Sequence, residues 1–401
     1  MTLTERLARA TAHLPGPLAV VDLDAFDANA ADLRRRARGV PVRVASKSVR
    51  VRSLVGRALD AGFEGVMAFS LAEALWLVQE GVRDVLVGYP TVDRDALARL
   101  AADVGARREV TLMTDDVAQL ELLGAALRSA ALPPGTAAEA LPDVSVCLDV
   151  DASLRVGVGP AQVHLGTRRS PLRSPEDVAT LARRVEELPG ARLRGLMFYE
   201  AQVAGLPDTN PAVRLVKRLS VTDLDRRRAE VRDAVRAAVG HAVPLVNSGG
   251  TGSLETSSAG PAVTEVTAGS GLFVPGLFDG YRSFDPRPAA YFGLDVVRVP
   301  APGWATAFGG GYVASGPAGR SRLPRVATAG WSLTGREGAG EVMTPLRRRR
   351  GAPPLGVGDR VWLRHAKAGE LMERFDAVHL VRGDEIVETV PTYRGEGRTF
   401  G

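Results

Sequence analysis

From about residue 18, short runs of β-branched and apolar residues alternate with longer Ala/Leu/Arg segments of helical period. The apolar runs cover residues 18–24, 40–46, 65–69, 84–88, 108–113, 144–150, 192–197, 243–248 and 262–269. Helical stretches such as SLAEALWLVQEG (70–81) and TDLDRRRAEVRDAVRAAVG (222–240) lie between them. Strands alternating with helices imply a parallel sheet. Eight such units close a barrel, and nine runs are present, so the first is read as a spare that pairs with the C-terminal region.

The pattern changes near residue 290. Beyond it no long amphipathic helix is legible, and segments such as YFGLDVVRVP, RVATAGWSLT and AVHLVRGDEIVETVPTYRG are broken by Gly and Pro. This predicts an antiparallel β domain. The expected architecture is therefore α/β: a (β/α)8 TIM-type barrel over residues 16–285, then a β domain over 286–401, with residues 1–15 as a candidate addition to the latter. In such barrels the chemistry sits at the C-terminal ends of the strands.

A hydrophobic content of 45% over 401 residues excludes disorder as the main state. No apolar run reaches the roughly 18 residues that span a bilayer, so no membrane association is expected. The opening MTLTERLARATAHLPG lacks a continuous apolar segment, which argues against a secretory signal. One cysteine, Cys147, leaves no intrachain disulfide and favours a reducing, cytoplasmic setting. The net charge is +5, but the arginines are interleaved with acids. The one basic run, Arg347 to Arg350, precedes Gly-Ala-Pro-Pro and reads as a solvated loop, so nucleic acid is not an expected partner.

Only three of the 51 cationic residues are lysines: Lys47, Lys217 and Lys367. Where arginine replaces lysine so widely, a retained lysine marks a place where an amine is needed. Lys47 follows the second apolar run, at the mouth of the expected barrel, where an amine among apolar neighbours can form a Schiff base. Lys217 lies in an Arg-rich helical segment and reads as solvated. Two glycine-rich loops follow late strands: Ser248-Gly249-Gly250-Thr251-Gly252 and Gly269-Ser270-Gly271. Glycine N–H groups and hydroxyls can close around a phosphate there, the alternative being a pair of tight turns. Asp151 to Gly157 and Phe198 to Gln202 end two further strands and offer Arg155, Tyr199 and Gln202 as polar or stacking groups. His13, His164, His241 and His379 have no motif around them.

These residues resemble the fold-type III pyridoxal-phosphate (PLP) enzymes of the alanine racemase N-terminal barrel group. The branch resembled is that of D-threonine aldolase and D-serine dehydratase-like proteins, including actinobacterial amino acid deaminase/aldolases, and the likeness covers nearly the whole chain. Lys47 falls where the family attaches PLP. The run D-A-S-L-R-V-G (151–157) is similar to D-x-G-x-x-R-x-G, which implies Arg155 beside the cofactor ring oxygen. Tyr199-Glu200 is similar to the family's Y-E-G-H, although Ala201-Gln202 follow here. Residues 248–253 and 265–270 are similar to the segments around the PLP phosphate.

Two departures stand out. A tyrosine frequent in the branch is missing at Gly269-Ser270-Gly271. The aldolase branch ligates a divalent metal through His-x-Cys or His-x-Asp, whereas this chain has His365-Ala366-Lys367. An ammonium repels a dication. Either Lys367 supplies the cationic role, which is the preferred reading, or Glu370 completes a rearranged site, or no metal binds.

The resemblance implies a PLP-dependent lyase acting on a D-3-hydroxy amino acid, as a homodimer. Cleavage would be retro-aldol, with His365 taking the β-hydroxyl proton, or dehydration, with Lys47 taking the Cα proton and Lys367 assisting loss of hydroxyl. The alternatives are an amino-acid racemase, whose second base the sequence does not place and for which Tyr312 and Tyr393 are candidates, a non-catalytic PLP carrier, and an unrelated phosphate-binding barrel.

Overall fold

The computed structural model describes residues 1–130, 141–157, 159–208, 210–282, 284–285, 287–367 and 369–401. Pro286, at the expected domain boundary, and Ala368 lie outside them. The strands in chain order are β1 (Leu18–Asp22), β2 (Val42–Ala45), β3 (Val66–Ala68), β4 (Val85–Val87), β5 (Val110–Thr114), β6 (Val144–Asp149), β7 (Leu154–Val156), β8 (Val163–Leu165), β9 (Ala191–Phe198), β10 (Leu245–Ser248) and β11 (Glu265–Ala268). They continue with β12 (Ala290–Arg298), β13 (Trp304–Phe308), β14 (Arg325–Val326), β15 (Trp331–Leu333), β16 (Met343–Arg348), β17 (Arg360–Arg364), β18 (Ala377–Arg382) and β19 (Glu385–Pro391).

Two compact units form, and they interleave along the chain. One comprises residues 33–46, 62–268 and 400–401; the other comprises 1–32, 47–61 and 269–399. The first contains a closed barrel in the order β10-β11-β2-β3-β4-β5-β6-β9, every pairing parallel. The nine apolar runs all become strands, and eight of them close the barrel as the alternation implies.

Helix signals are local and strong in this unit. Ser70 caps the helix Leu71–Gln79 by accepting from the Glu73 N–H. Asn210 caps the 29-residue helix Pro211–Val239, which opens on proline and ends at Gly240 with φ 75°. Inside the barrel Leu86, Met113, Cys147, Met197 and Leu245 pack as one cluster drawn from five neighbouring strands. Burial pushes the Cys147 thiol far up, so it is an inert packing group. A buried ionic network lies at the start of the strands. Arg43, fully enclosed, donates to Glu265 at 2.7 and 2.8 Å and to Asp84 at 2.7 Å.

The second unit is built on a nine-stranded, mainly antiparallel sheet. Its path is β15-β16-β13-β12-β1-β18-β19, with β17 paired to β12 and β14. The spare first run, β1, lies antiparallel to β12 and parallel to β18, as expected of a strand that joins the C-terminal region. The helix Leu3–Ala10, started by a Thr2/Glu5 capping box, buries Leu7 and Ala10 against Leu18, Val20, Tyr291, Trp362 and Val381. No helix among the described residues is long and apolar enough to cross a membrane.

Candidate active site

In the barrel unit, β10 runs directly into the glycine-rich loop, and the group that organises this loop is Glu200. Its carboxylate is 1% exposed and lies 2.8 Å from the Ser248 hydroxyl, 3.2 Å from the Gly249 N–H and 3.2 Å from the Ser253 hydroxyl. Ser257 also donates to it. The buried Arg228 guanidinium balances its charge, at 3.3 Å from Glu200 and 2.5 Å from Ser248. Gly249 has φ +91°, which only glycine adopts without strain. At Gly250 a Cβ would lie 2.8 Å from the Ala204 Cβ and 3.7 Å from the Tyr199 ring. Arg36 grips the far side, donating to the Thr251 carbonyl at 2.6 Å and to Glu255. Thr251 and Gly252 are buried in this loop.

Tyr199 and Gln202 follow β9. The Gln202 amide donates to the Ala152 carbonyl at 2.7 Å, while its buried Oε1 has no partner. Arg155 lies on the β7–β8 hairpin, exposed, and pairs with Asp151 at 2.8 Å. Asp151 also holds Arg173 at 2.9 Å. Asp149 ends β6 as a buried carboxyl pushed up to about 7, by burial first and then by the neighbouring Asp115 charge. Between the usual value of 3.8 and about 7 the folded chain keeps a proton that the unfolded chain releases. Stability therefore falls as pH rises through that window, by about 1.4 kcal/mol per pH unit, and the loss is complete above it. Asp149→Asn is expected to remove this slope. Urea unfolding at pH 5 and pH 8 should show the variant gaining on the parent by a few kcal/mol at the higher pH. Parallel pH profiles for the two proteins would place the titration elsewhere.

In the sheet unit, Lys47 is the central residue of a single 3-10 turn, Ser46–Ser48, that continues from β2. The segment after β17 packs on this turn. A Cβ at Gly369 would lie 2.6 Å from the Lys47 carbonyl and 2.7 Å from Ser48, so the approach requires glycine. Arg50 donates to the Lys47 carbonyl at 3.2 Å and pairs with Glu373 at 2.8 Å. Lys367 donates to the Ser315 hydroxyl at 3.0 Å, and Glu370 accepts from the Ser315 N–H at 3.0 Å. His365 is 3% exposed and edge-on to Phe273, and among the described residues neither ring nitrogen has a hydrogen-bond partner. Burial pushes it down to about 3, so the imidazole is neutral and offers a lone pair. Gly269 and the half-buried Ser270 start the short helix Ser270–Phe273.

The structure thus brings Lys367 and Glu370 together at Ser315 and packs the intervening Gly369 on the Lys47 turn. It gathers Tyr199, Ser248, Gly249 and Gly250 around another. Glu200, Arg228 and Arg36 escaped the sequence reading, although Glu200 lay inside the Tyr199-Glu200 pair. Lys217, read as solvated, is half-buried, and desolvation lowers its pKa. Tyr393 is fully buried, and Tyr312 is half-buried with edge contacts to Phe292 and Phe375.

The residues fit PLP in kind. There is an amine at the turn after a strand, a glycine loop that excludes side chains at Gly250, and a buried unpartnered acceptor at Gln202 beside Tyr199. They do not fit a divalent cation. Lys367 puts an ammonium two residues from His365, and among the described residues no group of three or more His, Cys, Asp or Glu could hold a metal.

Residues 21–275 match the model of the alanine racemase N-terminal domain. The chain is 24% identical over 298 residues to a D-threonine aldolase of Arthrobacter sp., an alignment covering 73% of this chain and 70% of that protein. Its fold is similar to the crystal structure of D-threonine aldolase from Filomicrobium marinum, with TM-score 0.79, 21% identity and 96% of each chain covered. It is also similar to D-threo-3-hydroxyaspartate dehydratase from Delftia sp. HT23, with TM-score 0.71, 23% identity, and 94% of this chain and 97% of that one covered. With residues 21–275, more than half of its length, matched by that model, the chain belongs to the alanine racemase N-terminal domain family of fold-type III PLP proteins.

Proposed function

We propose that the protein is a PLP-dependent lyase that cleaves or dehydrates D-3-hydroxy amino acids without a divalent metal. The observation that carries this reading is the Lys47 turn, braced by Gly369 and accompanied by His365 and Lys367. PLP, when bound, supplies an electron sink for the bond broken at Cα. Lys47 holds the cofactor covalently and exchanges the proton at Cα. Arg155, Tyr199 and Gln202 flank its ring, while Ser248, Gly249, Gly250, Thr251, Gly252, Gly269 and Ser270 serve its phosphate.

His365 and Lys367 are the groups proposed to meet the β-hydroxyl. A neutral, unpartnered His365 accepts a hydrogen bond from that hydroxyl. Lys367 then stabilises charge developing on the same oxygen. Its ammonium is held by Ser315, and Glu370 steadies that serine's backbone. A fixed cation here does electrostatically what a dication does elsewhere.

The same proposal includes a cytoplasmic homodimer. Trp304 and Phe308 on β13 and Met343 on β16 are exposed and form an apolar strip suited to a second subunit. A monomer mass by light scattering removes that part.

The reading is tested on the PLP-loaded enzyme with D-threonine and D-3-hydroxyaspartate. We expect glycine plus aldehyde, or an oxo acid plus ammonia, at rates unchanged by chelator. Lys367→Ala should lower kcat by about 10²-fold or more, the scale of one lost electrostatic donor. Activity restored to the parent only by added Mn²⁺ or Zn²⁺ contradicts the metal-free part.

A further inference from the structure

Four barrel strands that lie side by side, β4, β5, β6 and β9, deliver Tyr89, Asp115, Asp149 and Tyr199 at or just beyond their C-terminal ends. Arg169 comes from the segment between β8 and the helix Pro175–Glu186. Its guanidinium carbon is 5.6 Å from the Tyr89 ring centroid and 4.9 Å from that of Tyr199. One side chain therefore reaches rings on the two outer strands of the four. Asp115 and Asp149 rise from the two strands between.

Stacking on aromatic faces fixes the plane of a guanidinium and leaves its N–H edges pointing outward. Among the described residues the Arg169 side chain makes no hydrogen bond or ion pair, and the residue is exposed. The acids facing it do not neutralise it below neutrality. Asp149 feels the Arg169 charge, yet burial holds it up to about 7, so it keeps its proton below that, and Asp115 is raised by its own burial and occupied by Gln119 at 2.9 Å. Asp151, the other nearby acid, is taken by Arg155 and Arg173. A planar cation with unused paired donors, held at the mouth of a barrel, matches a carboxylate in both charge and geometry.

We propose that Arg169 binds a carboxylate of the amino-acid substrate, with Tyr89 and Tyr199 as its stacking supports. The inference rests on the lyase reading and adds a recognition residue to it. Every substrate of that class carries an α-carboxylate, and 3-hydroxyaspartate carries a second on Cβ. Either could be the ligand of this one site.

The test uses the PLP-loaded enzyme with Arg169→Met, which keeps the apolar length, and Arg169→Lys, which keeps the charge but loses the fork. KM and kcat are measured for D-threonine and D-3-hydroxyaspartate. Cofactor uptake is followed by visible absorbance, and succinate binding by the shift in melting temperature. For Arg169→Met we expect KM to rise about 10- to 100-fold with kcat within a few-fold, cofactor uptake unchanged, and the succinate shift lost. Arg169→Lys should recover part of the KM. A rise for both substrates assigns the α-carboxylate, and a rise for 3-hydroxyaspartate alone assigns the Cβ carboxylate; both support the proposal. Unchanged KM for both substrates overturns it. Loss of cofactor uptake also overturns it, because Arg169 would then serve the cofactor. If the parent enzyme turns over neither substrate, the lyase reading has failed, and the succinate shift, kept or lost in Arg169→Met, decides the carboxylate site alone.

Discussion

Lys47→Ala is expected to fold normally and to lose at least about 10³-fold in activity, because Lys47 is the amine proposed to bond covalently to the cofactor's aldehyde. The turn itself is held by backbone contacts, from Gly369 and from Arg50 to the Lys47 carbonyl, so truncating the side chain leaves its packing in place. Lys47→Arg is the stricter variant. It keeps a cation but has no amine to attack with, and it should be equally inactive. Borohydride reduction of the loaded parent, followed by peptide mapping, should put the adduct on residue 47. The chain has two other lysines to compete. Lys217 is the chemical rival, since desolvation lowers its pKa and so frees its amine. It sits within the long helix Pro211–Val239, not at a strand end. An adduct on Lys217 or Lys367 would overturn the assignment.

Glu200→Gln should cost the most stability of any change near the glycine loop. The carboxylate accepts from Ser248, Gly249, Ser253 and Ser257 and balances Arg228, all within the barrel unit. The amide cannot accept from all of these donors, and it leaves the 2%-exposed Arg228 guanidinium with Asp225, at 3.2 Å, in place of two carboxylates. Breaking a buried pair on one side costs about 3–5 kcal/mol. The loss should appear in urea unfolding, together with weaker cofactor uptake, because Gly249 and Ser253 lose what orders them. Adding Arg228→Met to Glu200→Gln removes the buried charge that has lost one of its two carboxylates, the partly exposed Asp225 being free to hydrate, and should regain part of the stability. A Glu200→Gln protein as stable as its parent would show that the loop is held by Arg36 and its own turns instead.

The barrel was legible because most positions of its strands are buried and each reads as an apolar run bounded by turns. The same holds for β1, whose five residues are all buried. Lys47 was legible because an amine that must react cannot be replaced by guanidinium, and arginine fills nearly every other cationic position. The extent of the compact units was not legible. The chain crosses from one unit to the other at residue 33 and again at 47, within one helix and one turn that carry no break in pattern.

The composition and spacing of the sequence determined the closed parallel barrel, the antiparallel sheet and the place of Lys47 just after a strand, since these follow from local periodicity. Only the tertiary structure decided which polar groups meet. The Glu200 carboxylate in the glycine loop depends on residues 28 to 57 positions away. The Arg169 stack depends on rings 80 and 30 positions away. Contacts of that range are set by how the strands close, and no short window of sequence encodes them.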